Sequence, residues 1–504
     1  MSLPSPLFFL TLLPLIAALF IMVGAPARLI ARFASIGMLL VVLDLVVTYN
    51  RSVGGFQFAT QMPVSDALGL SLSFGADGLS LAMLLLSAIV TISAVWVIPP
   101  IKTRENLFYA CVLLISAGVI GAFSSTDVLF FYAFHEVALI PTFLLIGIWG
   151  SGDRQAAAWK ATIYLGLGSF VLLLGIIGLY LAMPNGQQTF DLQTIQTLAA
   201  DGSLKPPHWV YWTLLLGFGT LISLFPFHSW APQAYASAPT PASMLHAGVL
   251  KKFGLYGILR LIVPIFPHSI LATRIPLGFG WSISYLDLFL VMIVGNLLYI
   301  GLVTIAQKRL DWTLGYSSVM HMGYIFLGIA AFNQLSLSGA AVLMVAHGLS
   351  IAALFALSGA LRERTGTLDY AELGGLAKPM PLFGLLFGFA TMASVGLPGF
   401  ANFPGELMVF FGSFGTSADI VKHGLSSIQI VTVIAVWGVV ISAVYMLRAY
   451  RNVFFGTMPA RWANLPDLAA VPRYAVILLI FVLLGIGFHP QLLLSYVTPA
   501  ILLP

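Results

Sequence analysis

The sequence predicts an all-α, polytopic membrane protein with about fourteen transmembrane helices. Three observations carry this. Of the 504 residues, 60% are hydrophobic and only 8% are charged, where a soluble domain carries roughly 25% charged residues. The apolar residues fall in continuous runs near the roughly 20 residues needed to cross a bilayer. Lysine and arginine, finally, concentrate in alternate loops, the usual mark of membrane orientation.

The runs have approximate cores at 5–24, 29–48, 77–97, 106–124, 127–149, 158–182, 209–227, 241–263, 284–306, 313–332, 337–361, 381–410, 428–447 and 472–490; they are called spans 1–14 below. They are unbroken by the alternation of a barrel strand, so their backbone hydrogen bonds must close within helices. Span 1 lacks a basic leader and a small-residue cleavage site, and reads as a retained span rather than a signal peptide. With the N-terminus placed outside, fourteen of the 22 basic residues fall in inner loops, five in outer loops or ends, and three within spans. This fits an even number of spans with both termini outside. The longest loops, Arg51 to Ala76 and Met183 to His208, are too short for a second domain, so residues 1–504 read as one transmembrane domain.

Two spans read as broken. Span 7 runs into Phe225-Pro226-Phe227-His228-Ser229-Trp230-Ala231-Pro232, and span 12 contains Gly396-Leu397-Pro398-Gly399 followed by Pro404-Gly405-Glu406. Proline removes a backbone donor, and such a break at membrane depth needs polar partners or a cavity. The breaks lie five spans apart. That spacing suggests two five-helix units, residues 103–263 and 283–450, the second inverted because five is odd.

Ionisable residues inside a span are costly and mark function by default. Glu136 lies mid-span 5, Lys160 opens span 6, Lys251 and Lys252 sit at mid-depth in span 8, and Glu406 follows the break in span 12; His228 stands in the span-7 break, with His321 and His347 in spans 10 and 11. Low-dielectric surroundings move buried acids and bases towards neutral pH, and histidine is already there, so a string of these groups can pass protons. Plainer readings compete. Glu136 can hydrogen-bond a neighbouring helix, Lys160 can snorkel to the surface, and either histidine can be a satisfied core residue. Lys251 and Lys252 point about 100° apart on a helix, so at least one faces the interior. The single cysteine, Cys111, allows neither an internal disulfide nor an iron–sulfur cluster. No histidine pair has spacing suited to haem or metal, and the groups favour ion transfer over a solute pocket.

In sequence order, these motifs resemble the antiporter-like membrane subunits of complex I, the NADH:quinone oxidoreductases, a family related to Mrp cation/proton antiporters. His135-Glu136-Val137-Ala138-Leu139-Ile140-Pro141 is similar to their fifth helix, and Phe225-Pro226-Phe227-His228-Ser229-Trp230 to the broken seventh. Leu250-Lys251-Lys252-Phe253-Gly254, Ser317-Ser318-Val319-Met320-His321, Ala346-His347-Gly348 and Asn402-Phe403-Pro404-Gly405-Glu406 resemble helices 8, 10, 11 and 12. Glu406, where other branches carry lysine, and a chain end soon after span 14 imply the M-type branch.

The resemblance implies proton translocation through Glu136, Lys160, Lys252, His228, His321, His347 and Glu406, driven by distant redox chemistry. FMN, iron–sulfur clusters and quinone are expected on partner subunits, with no cofactor or metal on this chain and no nucleic acid. The expected partners are L-type and N-type chains on either side, in a bacterial cytoplasmic membrane. A subunit of an Mrp-type antiporter or of a membrane-bound hydrogenase is the alternative, and a spacer that has lost transport is a third reading. One position departs from the family: seven residues before His228, where relatives carry a lysine that partners the span-5 glutamate, stands Leu221. The resemblance then leaves His135 or Lys160 to supply that cation.

Overall fold

A computed structural model describes residues 5–278, 281–415 and 424–503 of the chain. Lys422, one of the basic residues assigned to the outer loops, lies outside the described residues. Every predicted span is helical. Among the described residues, nine helices are long and apolar enough to cross a membrane: spans 2 (Ala27–Thr48), 3 (Gly78–Trp96), 4 (Glu105–Ser124), 5 (Val128–Trp149), 6 (Arg154–Leu181), 9 (Tyr285–Ile305), 11 (Gln334–Thr365), 13 (Ser427–Phe454) and 14 (Ala470–Phe488). The other five depart from that standard for physical reasons. Span 1 (Pro6–Met22) has 17 residues. Span 7 divides into His208–Ile222 and Trp230–Ser237, and span 12 into Pro381–Val395 and Asn402–Phe414. Span 8 winds from Thr240 to Ile262 through two π-helical turns, His246–Leu250 and Ile258–Ile262. Span 10 (Leu310–Ala330) dilutes its apolar character with Asp311, Ser317, Ser318 and His321.

The loops hold more structure than their lengths suggest. Residues after span 2 form an antiparallel hairpin, β1 (Gln57–Ser65) with β2 (Leu70–Ala76), turned by Gly69 in the left-handed region at φ 58°. A second hairpin pairs β3 (Arg274–Gly278) with β4 (Trp281–Ser284) between spans 8 and 9. The all-α reading therefore describes the spans, with two small hairpins added beyond them. Residues Leu192–Ala200 of the other long loop form a helix capped by Asp191.

Span 11 is the axis of the bundle, its central stretch wholly covered by neighbouring helices. Spans 2, 5, 6, 9, 13 and 14 are on the periphery, with less than half of their apolar windows buried. Their outward residues, such as Phe170, Trp437 and Phe481, suit a hydrocarbon solvent.

Two ionic clusters tie the helix ends. On the face that carries the hairpins, Arg260 of span 8 pairs with Asp77, which also caps span 3 by accepting from the Ser80 N–H at 2.9 Å. Arg260 also reaches the Ala500 carbonyl at 3.3 Å, drawing the C-terminal segment into the cluster. On the opposite, basic face, the buried Asp311 carboxylate accepts from Arg362 at 2.7 Å and Arg309 at 2.8 Å. Arg362 also donates to Ser151 Oγ at 2.7 Å and the Ala236 carbonyl at 3.1 Å, so one guanidinium joins the 5–6 loop, the end of span 7 and spans 10 and 11.

Removing one member of a buried pair leaves an uncompensated charge, at about 3–5 kcal/mol. Arg260→Leu should therefore lower the thermal unfolding temperature of the purified protein markedly. The double variant Asp77→Asn, Arg260→Leu should recover part of that loss. Scanning fluorimetry in detergent checks both, and an unchanged melt in the single variant would show that the pair contributes little.

Candidate functional site: buried charges across the bundle

The two helix breaks expose backbone groups at membrane depth, and side chains from neighbouring spans meet them. Span 7 stops at Ser223, which has φ 70°. Buried Asn296 of span 9 then accepts from the Phe225 N–H at 2.8 Å and donates to the Ser223 carbonyl at 3.2 Å. The same amide donates to the Val319 carbonyl of span 10 at 3.0 Å, so one asparagine holds the break against spans 9 and 10. Trp230 adds an indole hydrogen bond to the Thr220 carbonyl at 3.0 Å. In span 12 the helix ends on Ser394 and Val395 before Gly396, at φ 79°. Nε2 of His321 lies 2.9 Å from the Ser394 carbonyl, and Nδ1 lies 2.8 Å from the Ser317 carbonyl.

His321 is one link in a longer row. Its ring stacks on that of His347, with centroids 5.3 Å apart and planes 19° from parallel. His347 Nε2 is 3.3 Å from Ser318 Oγ. Lys251 Nζ approaches the same serine, at 3.3 Å from its carbonyl and 3.4 Å from its hydroxyl. The ammonium also sits over the Tyr235 ring, 5.5 Å from its centroid, and Tyr235 Oη lies 3.4 Å from His246 Nδ1. Thus spans 8, 10 and 11 and the second half of span 7 bring five titratable side chains together. Ser317 extends the row through Tyr445 Oη of span 13, at 3.0 Å.

Both lysines of span 8 are buried, at 1% and 0% exposure. Their directions differ. Lys252 curls back onto the Ala247 carbonyl at 2.6 Å, within the π turn of its own helix, whereas Lys251 crosses to span 10. The sequence reading favoured Lys252; geometrically, Lys251 joins span 8 to span 10. A π turn inserts an extra residue into the helical register, which a reading based on 3.6 residues per turn does not anticipate.

Glu406 lies in span 12 one turn after Asn402, and both are buried. Gly396 makes room for it: a Cβ at that position would collide with the Glu406 carboxylate. The Asn402 amide, Tyr324 Oη and Thr391 Oγ1 are buried without a hydrogen-bond partner among the described residues. Polar groups in that condition are ordinarily matched by ordered water.

Glu136 occupies the other flank. Its Oε1 is 3.6 Å from Nδ1 of His135, whose ring stacks on Phe253 of span 8 at 4.1 Å. It lines a cavity of about 220 Å3 between spans 5 and 6, with Thr142, Phe143, Ala161, Thr162 and Leu165. Lys160 is half-buried beside that cavity and forms no ion pair among the described residues. His228 stacks on Phe225 at 5.6 Å and is half-buried in the span-7 break. Leu221, at the departure from the family pattern, is 3% exposed and lies against Gly168 of span 6. The structure thus groups His321 and His347 with Lys251 in one row, sets Lys252 beside it, and leaves Glu136, Lys160 and His228 apart from it, at spans 5, 6 and 7. Among the described residues there is no cluster of three or more metal-ligating side chains.

Residues 125–434 match the family described as NADH:quinone oxidoreductase/Mrp antiporter, TM. The chain belongs to that family. Among curated relatives, NAD(P)H-quinone oxidoreductase chain 4 of Gloeobacter violaceus is 32% identical over 97% of this chain and 90% of its own length. NADH-quinone oxidoreductase subunit M of Rickettsia felis is also 32% identical, covering 96% and 95% respectively. A chain of respiratory complex I from Thermus thermophilus with bound NADH superposes with TM-score 0.85 at 27% identity, over 98% of both chains. A chain of the Mrp complex from Dietzia sp. gives TM-score 0.81 at 22% identity, over 99% and 97%, a likeness of fold alone. The fold of this antiporter family therefore extends over nearly the whole chain.

Gly396 offers a test of the site's geometry. Gly396→Ala adds a methyl where the Glu406 carboxylate lies and forces an L-residue into the left-handed region, a strain of about 1–2 kcal/mol. The variant should fold and assemble, yet show reduced proton uptake in vesicles. Uptake equal to that of the unaltered protein would mean that the position of the Glu406 carboxylate is functionally indifferent.

Proposed function

We propose that the chain is the M-type, antiporter-like, proton-translocating subunit of an NADH:quinone oxidoreductase. The observation that carries this reading is the row Lys251, Ser318, His347, His321, which crosses from the first helical unit to the second and reaches the broken span that bears Glu406. Charged groups are retained at such depth where they serve an ion path. Protons enter beside Lys160, pass Lys252 and Lys251, cross by Ser318 and His347 to His321, and leave near Glu406. Asn402, Tyr324 and Thr391 supply the polar walls of that exit. Glu136 faces a neighbouring subunit across the span 5–6 cavity, with His135 beside it at 3.6 Å.

Two five-helix units, residues 103–263 and 283–450, underlie the path in this reading. Matching backbone bridges support them. Asp127, just before span 5, pairs with Asp191 after span 6; Arg309, just before span 10, pairs with Asp369 after span 11. The pairs join corresponding positions five spans apart, on opposite faces of the bundle.

Redox chemistry belongs, in this proposal, to partner subunits that hold FMN, iron–sulfur clusters and quinone. L-type and N-type chains flank this one in a bacterial cytoplasmic membrane, with both termini outside. The names of the relatives from Gloeobacter and Rickettsia favour this assignment over an Mrp-type antiporter, whose likeness to the chain is one of fold. Long-range coupling requires elements with two discrete arrangements, and the Glu136–His135 pair and the Lys251–Ser318 contact are the switching elements we assign.

Glu136→Gln keeps size and hydrogen bonding while removing the titrating group. Assembly should be retained and NADH-driven proton uptake reduced; an assembled variant that pumps normally would remove Glu136 from the mechanism. Lys251→Met, Lys252→Met and Glu406→Gln should each depress quinone reduction and pumping together, because a blocked path stalls the coupled driver. If Lys251→Met alone left both rates intact, the crossing between units would have to be reassigned to Lys252.

A further inference from the structure

The basic end of the bundle, away from the proposed proton path, carries three N–H donors that no described residue answers. Span 3 packs against both span 2 and span 14. Ser93 Oγ lies 3.4 Å from the Ala475 carbonyl, which fixes the level at which the antiparallel spans 3 and 14 meet. Trp96 comes three residues after Ser93 at the end of its helix, and Arg473 two residues before Ala475 in the first turn of its own. Both therefore lie on the basic side of that contact. From the other flank, Arg32 of span 2 lays its guanidinium over the Trp96 indole, 5.2 Å from the ring centroid.

Nε of Arg32, Nε1 of Trp96 and Nε of Arg473 are all buried without a hydrogen-bond partner among the described residues. Neither arginine joins an ion pair there. Arg362, at the same face, shows the contrast, since it spends its donors on Asp311, Ser151 and Ala236. Two half-buried guanidinium groups, Arg32 on the Trp96 indole and Arg473 over the ring of its neighbour Tyr474 at 5.6 Å, thus stand on the same side of adjoining spans, and neither pairs with an acid among the described residues.

The surroundings indicate what answers them. Phe33, next to Arg32, is 64% exposed, and Tyr474, next to Arg473, is 63% exposed. Aromatic residues at this level mark the boundary between hydrocarbon and headgroups. Arginine forks match phosphate oxygens bidentately, and basic pockets between helices on the positively charged side of a membrane protein bind anionic headgroups. We propose that Arg32, Trp96 and Arg473 form a binding site for the phosphate of an anionic phospholipid, whose acyl chains lie along Phe33 and Tyr474 on the outside of spans 2 and 14.

The experiment uses the intact purified assembly in nanodiscs of phosphatidylcholine doped with photoactivatable phosphatidylglycerol. Cross-linking should label peptides that contain Trp96 or Arg473. The Arg32→Gln, Arg473→Gln double variant should lose most of that label. Arg473→Lys, which keeps the charge and loses the fork, should label more weakly than the unaltered protein while assembling normally. Arg28→Gln is the control, because Arg28 already donates to Tyr109 Oη at 3.2 Å, and it should keep the label. Millimolar inorganic phosphate should not compete; competition would reassign the site to free phosphate. Label retained by the double variant, or cross-linking of these arginines to an acidic residue of a neighbouring subunit, would overturn the lipid assignment.

Discussion

In hydrocarbon, a charged or hydrogen-bonding group has no bulk water to turn to, and it must be met by protein, by ordered water in a cavity or by a lipid headgroup. This constraint organises the bundle. The broken spans 7 and 12 give up helical hydrogen bonds, and Asn296 and His321 restore the balance from spans 9 and 10. Lys252 meets a carbonyl within its own π turn, and Lys251 meets a serine of span 10. The groups that solvate the breaks are therefore neighbours of the buried titratable groups, and in the proposed mechanism structure and transport draw on the same side chains. Changing either break would disturb both.

Much of this was legible in the sequence, and the reasons differ between elements. Span positions follow from the lengths of the apolar runs, because a bilayer fixes how long such a run must be. The breaks were readable because proline and glycine leave few alternatives at membrane depth. Which of the two lysines reaches span 10 was not legible. Adjacent residues on a helix differ by about 100°, and the π turn at His246–Leu250 shifts the register just before them. Asn296 was missed as well, although a lone asparagine in an apolar run is itself a signal by the cost of polar groups in lipid. The hairpin β1–β2 was read only as a loop, although its strands run to nine and seven residues.

Leu221 shows how a local departure is absorbed. The span-7 position where the resemblance implies a lysine is here Leu221, apolar, buried and packed against span 6. Glu136 has His135 at 3.6 Å, and the two buried lysines, Lys251 and Lys252, stand in span 8. Lys251 reaches towards span 10. In the proposed mechanism this moves the cation from the flank that faces a partner subunit towards the centre of the chain.

The central claim is that proton movement through this chain is driven by electron transfer in partner subunits. The most direct measurement is to tag the chain, purify the assembly it belongs to from its native membrane, reconstitute it in sealed vesicles, and follow NADH oxidation, quinone reduction and proton uptake together. The account predicts that addition of NADH and quinone generates a proton gradient that collapses with an uncoupler, and that blocking quinone reduction abolishes it. An assembly that instead exchanges sodium for protons down an imposed gradient, and neither oxidises NADH nor reduces quinone, would contradict it.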